Sequence, residues 1–390
     1  MKNIKLYNKI ASQGTDLFDK NLYNVGNDVE SPDAIIVRSA KLGELEFNNE
    51  LIAIARAGVG VNNIPIDRCT ENGIVVFNTP GANANAVKEL AIAAMLLSGR
   101  KIVEGINWVK SLNTSEVNAA EAVEKGKSQF VGPEIAGKTL GIFGLGKIGV
   151  MVANAAINMG MNVIGYDPYL TVDSALALTR AFVRVYSKED LFAQSDYITL
   201  HATLNDETRG MINDFSIAGM KDGVRIINLA RGELVNNTDI CDAIKKGKVA
   251  AYVTDFASNE LLDMNNDRVI IMPHLGASTP ESEDNSAVMA SQELIEFLST
   301  GNIKNSVNFP TTQMAKTAAN RICVLHKNIP NIIAKLTAVL SSDNINIEGM
   351  VNNSRGANAY TMFETNDPVS DKVTSDIQAA EGIYRAFAVK

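Results

Sequence analysis

Several side chains suited to proton transfer and carboxylate recognition stand at the ends of short apolar runs. Arg231 follows Val224 to Leu229, Asp255 follows Ala250 to Val253, and His274 follows Val269 to Met272. Glu260 lies in the loop between the last two, five residues after Asp255 and 14 before His274. A glutamate beside an imidazole raises its pKa and selects its tautomer, giving an acid that protonates a carbonyl oxygen near neutral pH. The planar fork of Arg231 pins a carboxylate and polarises the carbonyl next to it. Arg231, Glu260 and His274 together form a set for reducing a 2-keto acid or oxidising a 2-hydroxy acid, provided a hydride carrier lies alongside.

The segment Lys138 to Asp167 supplies the place for that carrier. A short apolar run, Thr139 to Phe143, meets Gly144-Leu145-Gly146-Lys147-Ile148-Gly149. A helical Ala/Met/Val stretch follows, then a second apolar run ending at Asp167. In such a strand–turn–helix–strand unit Gly144 makes the turn, Gly146 lets the backbone approach a pyrophosphate, and Gly149 packs helix on strand. Asp167, 18 residues past Gly149, falls where a carboxylate accepts the ribose hydroxyls of NAD. No arginine follows it directly, so NAD is expected over NADP.

These residues need a frame of strands with polar ends. Residues 1 to about 98 alternate short strands with helical segments. The candidate strands at 34–37 and 51–55 end at Arg38 and at Arg56-Ala57-Gly58-Val59-Gly60. In open α/β sheets ligands collect at the carboxyl ends of strands. Arg38, Arg56 and the backbone of Gly58, Val59 and Gly60 are therefore expected to hold an anionic substrate together with Arg231. One long helix is expected over 85–110. A polar excursion over 110–136 follows and is expected to grip a neighbouring subunit, in a homodimer or homotetramer. A helix over 280–300 and a linker near 308–319 precede a change of character. From 320 to 390 the pattern reads βαββαβ, a ferredoxin-like unit, with Pro330 opening its first helix. The fold class is α/β: two Rossmann-like doubly wound parallel-sheet domains plus the ferredoxin-like unit. Residues 1–98, completed by 280–310, are expected to bind substrate, 99–279 to bind NAD, and 319–390 to stand as a third domain.

Apolar residues make up 46% of the 390 and charged residues 21%, as in a globular protein with ample core. A net charge of −8 argues against nucleic acid or an anionic membrane as partner, so a local arginine cluster must meet any anionic substrate. The longest clean apolar run, Leu90 to Leu97, is too short to span a bilayer. Cys69, Cys241 and Cys323 lack metal-ligand spacing, so no metal is expected and a cytoplasmic, reducing location is.

Several of these stretches resemble the D-2-hydroxyacid dehydrogenase family. They are Arg56-Ala-Gly-Val-Gly, Asn78-Thr-Pro-Gly, the glycine loop with Asp167, Asn228-Leu-Ala-Arg231-Gly, Asp255-Phe through Glu260, and Pro273-His274-Leu-Gly-Ala-Ser-Thr279. The resemblance covers residues 1 to about 305. It implies catalysis by Arg231, Glu260 and His274, with a small phosphorylated 2-hydroxy acid as substrate. It implies cofactor contacts at Gly144, Gly146, Lys147, Ile148, Gly149, Asp167, Leu229, Ala230, Arg231, Asp255, His274, Gly276 and Ala277. Within the same family, a glyoxylate or hydroxypyruvate reductase and an erythronate-4-phosphate dehydrogenase remain open. A non-catalytic NAD sensor on the same scaffold also remains open. The tail from Arg321 through His326, Asn328 and Pro330 resembles an ACT regulatory domain, which implies an amino-acid effector, L-serine, at His326, Asn328 and Asn346. Asn331 departs from that pattern, which has glycine there.

Overall fold

The computed structural model describes residues 1–389. They form three sheets. The first has β1 (Lys2–Tyr7), β2 (Tyr23–Gly26), β3 (Ala34–Val37), β4 (Ala53–Arg56) and β5 (Val75–Asn78), all parallel in the order β2-β1-β3-β4-β5. The second has β6 (Thr139–Phe143), β7 (Asn162–Tyr166), β8 (Val183–Arg184), β9 (Tyr197–Leu200), β10 (Val224–Asn228), β11 (Val249–Thr254) and β12 (Val269–Ile271). It is again parallel, ordered β12-β11-β10-β9-β6-β7-β8. The third is antiparallel: β13 (Asn320–Lys327), β14 (Gly349–Arg355), β15 (Asn358–Thr365) and β16 (Ile383–Val389), ordered β14-β15-β13-β16. With helices Ile332–Ser342 and Asp371–Gln378 it makes the expected βαββαβ unit.

The chain divides into two compact units, residues 1–83 with 280–390, and residues 84–279. The first boundary falls after Asn83 rather than after residue 98. The reason is packing: Val87, Ala91, Ala94 and Met95 of helix Ala84–Gly99 share a core with Leu140, Ile142, Ile227 and Val253 of the second sheet. The other face of that sheet packs Ile198, Leu200, Ile226 and Tyr252 against Leu191, Ile217, Ile240 and Ile244. The single helix expected over 85–110 is two, Ala84–Gly99 and Ile102–Lys110. Gly99 closes the first, a residue of low helix propensity, and Gly132 packs directly against its carbonyl, where a Cβ would collide.

The 319–390 segment does not separate from residues 1–83 and 280–318. Cys323, Leu325, Tyr360, Met362 and Val389, on one face of the third sheet, complete the core made by Ile36, Ala55, Phe77, Leu294, Phe297 and Phe309. The opposite face packs its own helices through Ile322, Val324, Leu336, Phe363 and Ile377. Pro330 does not open the first of these helices. Asn331 precedes it at φ 66, and the helix starts at Ile332. That left-handed turn is the physical reason glycine is favoured there, and asparagine is among the few side chains that tolerate it.

Candidate functional site

In the second sheet the strand order reverses between β6 and β9, and the glycine loop leaves the carboxyl end of β6 at that point. Helix Lys147–Asn158 begins with no side chain capping its N-terminus, which leaves its positive dipole end uncapped beside the glycine loop. Gly144, at φ 94, sits against the His201 carbonyl, and Gly149 against the Gly144 carbonyl; a Cβ at either would collide. Gly146 has open space where its Cβ would project. Two glycines therefore serve packing, and one leaves a cradle of the kind a pyrophosphate fills. Asp167 accepts from Leu145 N and Tyr169 N, both at 2.8 Å, which aims its carboxylate beside the loop.

The neighbouring strands β10, β11 and β12 bring three predicted residues together. Arg231, past the end of β10, is exposed; its Nη1 donates to the Ala230 carbonyl at 2.7 Å. Asn228, fully buried, shapes this turn by donating to the Arg231 carbonyl at 2.8 Å and accepting from Ala230 N at 3.2 Å. Asp255, past the end of β11, is 3% exposed. One carboxylate oxygen accepts from Gly276 N at 3.3 Å, and the other has no hydrogen-bond partner. Burial raises this carboxyl above the usual range, while the charges of His274 and Arg231 and the Gly276 amide pull the other way. His274, past β12, is exposed, and its ring lies edge-on to Phe256 at 5.0 Å between centroids. Leu229 is buried in the wall of the site, and Ala277 is exposed next to Gly276. Asn228 and Phe256 lie within the resembling stretches, yet residue type alone assigned them no role.

Glu260 and His274 are not joined by a hydrogen bond or an ion pair. Ser258 caps helix Asn259–Asp263 and, with the first-turn backbone N–H, holds the exposed Glu260 carboxyl below its usual range. A carboxylate in the first turn of a helix is favoured by the free N–H groups there, and sequence spacing carries no information about that competing partner. His201, at the end of β9, bonds Thr199 Oγ1 at 3.0 Å, and burial pushes it down to about 4, so it stays neutral.

In the other unit, Arg38 and Arg56 end the adjacent strands β3 and β4. Arg56 Nε donates to the Arg38 carbonyl at 3.1 Å. Gly58, at φ 148, lies against the Arg56 guanidinium, and Val59 accepts from Asn78 Nδ2 at 2.7 Å. Gly60 continues the loop, half-buried. Arg38 is ion-paired with Glu283, a partner from the far end of the sequence. The N–H groups of Ser39 and Ala40 are taken by Asn8 Oδ1. An anion at Arg38 therefore has to displace Glu283.

In the ferredoxin-like unit, His326 is buried. Its Nδ1 lies 2.8 Å from the Lys327 carbonyl and its Nε2 2.8 Å from Thr361 Oγ1. Both ring nitrogens are therefore engaged inside the sheet, and an effector meeting this ring has to compete with the Lys327 carbonyl or Thr361. Asn328 and Asn346 are exposed, the first donating to the Gly356 carbonyl and the second to Glu348.

Residues 92–276 match the family model for the NAD-binding domain of D-isomer specific 2-hydroxyacid dehydrogenases. That match covers a little under half of the chain and shows what this stretch is similar to. NAD is the cofactor of this domain, and the open cradle at Gly146 and the unpartnered Asp255 oxygen suit it. The chain is 35% identical over 319 residues to a D-3-phosphoglycerate dehydrogenase of Bacillus subtilis, a match covering 80% of this chain and 58% of the relative. It thus spans little more than half the length of the curated relatives it matches. An NAD+-bound 3-phosphoglycerate dehydrogenase from Entamoeba histolytica superposes with TM-score 0.61 at 28% identity, covering 79% of this chain and 98% of that one. A glyoxylate reductase from Paecilomyes thermophila gives 0.64 at 27%, covering 78% and 98%.

Proposed function

We propose that the chain oxidises D-3-phosphoglycerate to 3-phosphohydroxypyruvate with NAD, the entry to L-serine synthesis. The observation that carries a dehydrogenase reading is the convergence of Arg231, Asp255 and His274 at the ends of three adjacent strands, in the sheet that holds the glycine loop. NAD, when bound, accepts the hydride. Arg231 holds the substrate carboxylate and polarises C2–O, and His274 takes the hydroxyl proton as general base. Asp255 offers its free oxygen to the nicotinamide amide. Glu260 joins His274 when the 258–263 turn moves, since the two are apart at rest.

The phosphorylated substrate rests on the names of the relatives and on Arg38 and Arg56. A second reading, reduction of glyoxylate or hydroxypyruvate, draws support from the Arg38–Glu283 pair, which occupies one of the two cations a phosphate needs. Erythronate 4-phosphate, a longer phosphorylated acid, belongs to the same comparison. NAD reduction with D-3-phosphoglycerate, D-glycerate and erythronate 4-phosphate, beside NADH oxidation by glyoxylate, separates them. Turnover of unphosphorylated acids alone overturns the phosphoglycerate reading.

Regulation by L-serine through an ACT-like C-terminal unit, with His326, Asn328 and Asn346 as its ligands, remains part of this proposal. Calorimetry with L-serine tests it, and no binding at millimolar serine removes it. Self-association into a dimer is proposed through the 102–131 segment. Ile102, Ile106 and Val109 are exposed there and, with Trp108, Val123 and Phe130, line a groove of about 970 Å³. A two-fold axis brings the same apolar face of two copies together, and light scattering reads the outcome. The free, buried cysteines suit the reducing cytoplasm.

A further inference from the structure

The carboxyl ends of β10, β11 and β12 carry Arg231, Asp255 and His274. The amino ends of the same strands line a separate concavity of about 450 Å³. Four cations border it. Arg225 comes from the start of β10, Arg268 from the turn entering β12, and Arg100 and Lys101 from the chain just past helix Ala84–Gly99. None of the four makes an ion pair among the described residues. Two carboxylates, Glu104 and Asp267, line the same space, so positive charge is in excess there although the whole chain carries −8.

Two of the guanidinium groups are held in place. Arg225 Nε donates to the Ser98 carbonyl at 2.9 Å, and its guanidinium lies over the Tyr197 ring, 5.3 Å from the centroid. Arg268 Nη1 reaches the Ile244 carbonyl at 3.4 Å. Each keeps further N–H groups for another acceptor, and a fork oriented in advance loses little entropy when a ligand arrives. Favourable placement at a helix C-terminus accounts for Arg100, Lys101 and the Ser98 contact. It does not account for Arg268, which comes from another strand, nor for the cavity the four enclose.

We propose that this pocket binds a small, multiply charged oxyanion, at the opposite end of the strands from the NAD site. Paired guanidinium groups suit phosphoryl and carboxylate oxygens alike. The test is calorimetry on the full, NAD-saturated chain at low ionic strength, with inorganic pyrophosphate in one arm and citrate in the other. One site per chain is expected. Arg268→Gln and Arg100→Gln, both at exposed positions and each checked by thermal melting, should weaken it by roughly tenfold apiece, the worth of one charge-assisted hydrogen bond. Tighter binding of pyrophosphate assigns a phosphorylated ligand, and tighter binding of citrate a polycarboxylate. The proposal is overturned if neither anion binds at millimolar concentration. Binding untouched by both substitutions, or seen only without NAD, overturns it equally.

Discussion

Each unit places an arginine, a buried carboxylate and a histidine on neighbouring strands, and the two sets are treated in opposite ways. In residues 84–279 these are Arg231, Asp255 and His274: the cation and the imidazole are exposed, and one Asp255 oxygen has no partner. In the other unit they are Arg321, Glu364 and His326, all buried. Arg321 donates to Glu364 at 2.6 Å and to the carbonyls of Thr300, Met314 and Ala315; Glu364 also accepts from Thr317 Oγ1 at 2.6 Å. The second set ties the third sheet to the end of helix Pro280–Thr300 and to the linker. Similar side chains build structure where most of their hydrogen bonds are made internally, Arg321 Nε alone of that set being left without a partner, and they stay open to solvent where the fold withholds partners.

The largest effect expected from this contrast is on turnover. If His274 is the proposed general base, His274→Asn should lower kcat/KM by roughly 10²–10⁴-fold with the melting temperature unchanged, since no structural hydrogen bond of its ring is lost. Steady-state kinetics beside a thermal melt reads both. The converse belongs to the locked set: Glu364→Ala strands a buried guanidinium and should cost about 3–5 kcal/mol in denaturant unfolding.

The same pair should also set acid lability. Burial alone would raise the Glu364 carboxyl, but the Thr317 hydroxyl and amide and the Arg321 charge hold it below the usual range. A carboxyl depressed in the folded state contributes stability above its unfolded pKa and loses it as pH falls through the folded value. Wild-type unfolding free energy should therefore drop below the ordinary carboxylate range more steeply than that of Glu364→Gln. Parallel pH curves would break the contrast.

Asp255→Asn sharpens it from the other side. Burial raises this carboxyl, so its charged form costs stability once pH exceeds the folded pKa. The cofactor-free Asn variant should be more stable than wild type at neutral pH. Its NAD affinity should fall by roughly ten- to a hundredfold, through loss of a charged acceptor. Equal NAD affinity would show that the free oxygen serves no cofactor. The smallest effect is at Arg38. Its pair with Glu283 is about half exposed, so Arg38→Ala should change stability by less than about 1 kcal/mol. The same substitution should raise KM for the phosphorylated acid alone; equal rises for phosphorylated and unphosphorylated acids would assign Arg38 to the carboxylate.

Much of the architecture was legible because it depends on local pattern. Short apolar runs ending in glycine or a polar residue mark buried parallel strands. The glycine loop and Asp167 lie in one strand–helix–strand unit, so their spacing alone carries the NAD reading. The strand ends that bear Arg231, Asp255 and His274 were visible for the same reason. Partners distant in sequence were not. Glu283 reaches Arg38 from 245 residues away, and His326 turns into the sheet to meet Thr361, 35 residues on. Nor could periodicity show that Cys323, Leu325 and Tyr360 cover the core of residues 1–83, because an apolar strand face reads alike whichever neighbour buries it. Spacing along the chain determined which chemistry this protein can hold. Tertiary packing alone decided which of those side chains stay free to perform it, because hydrogen-bond partners and burial are properties of residues far apart in sequence.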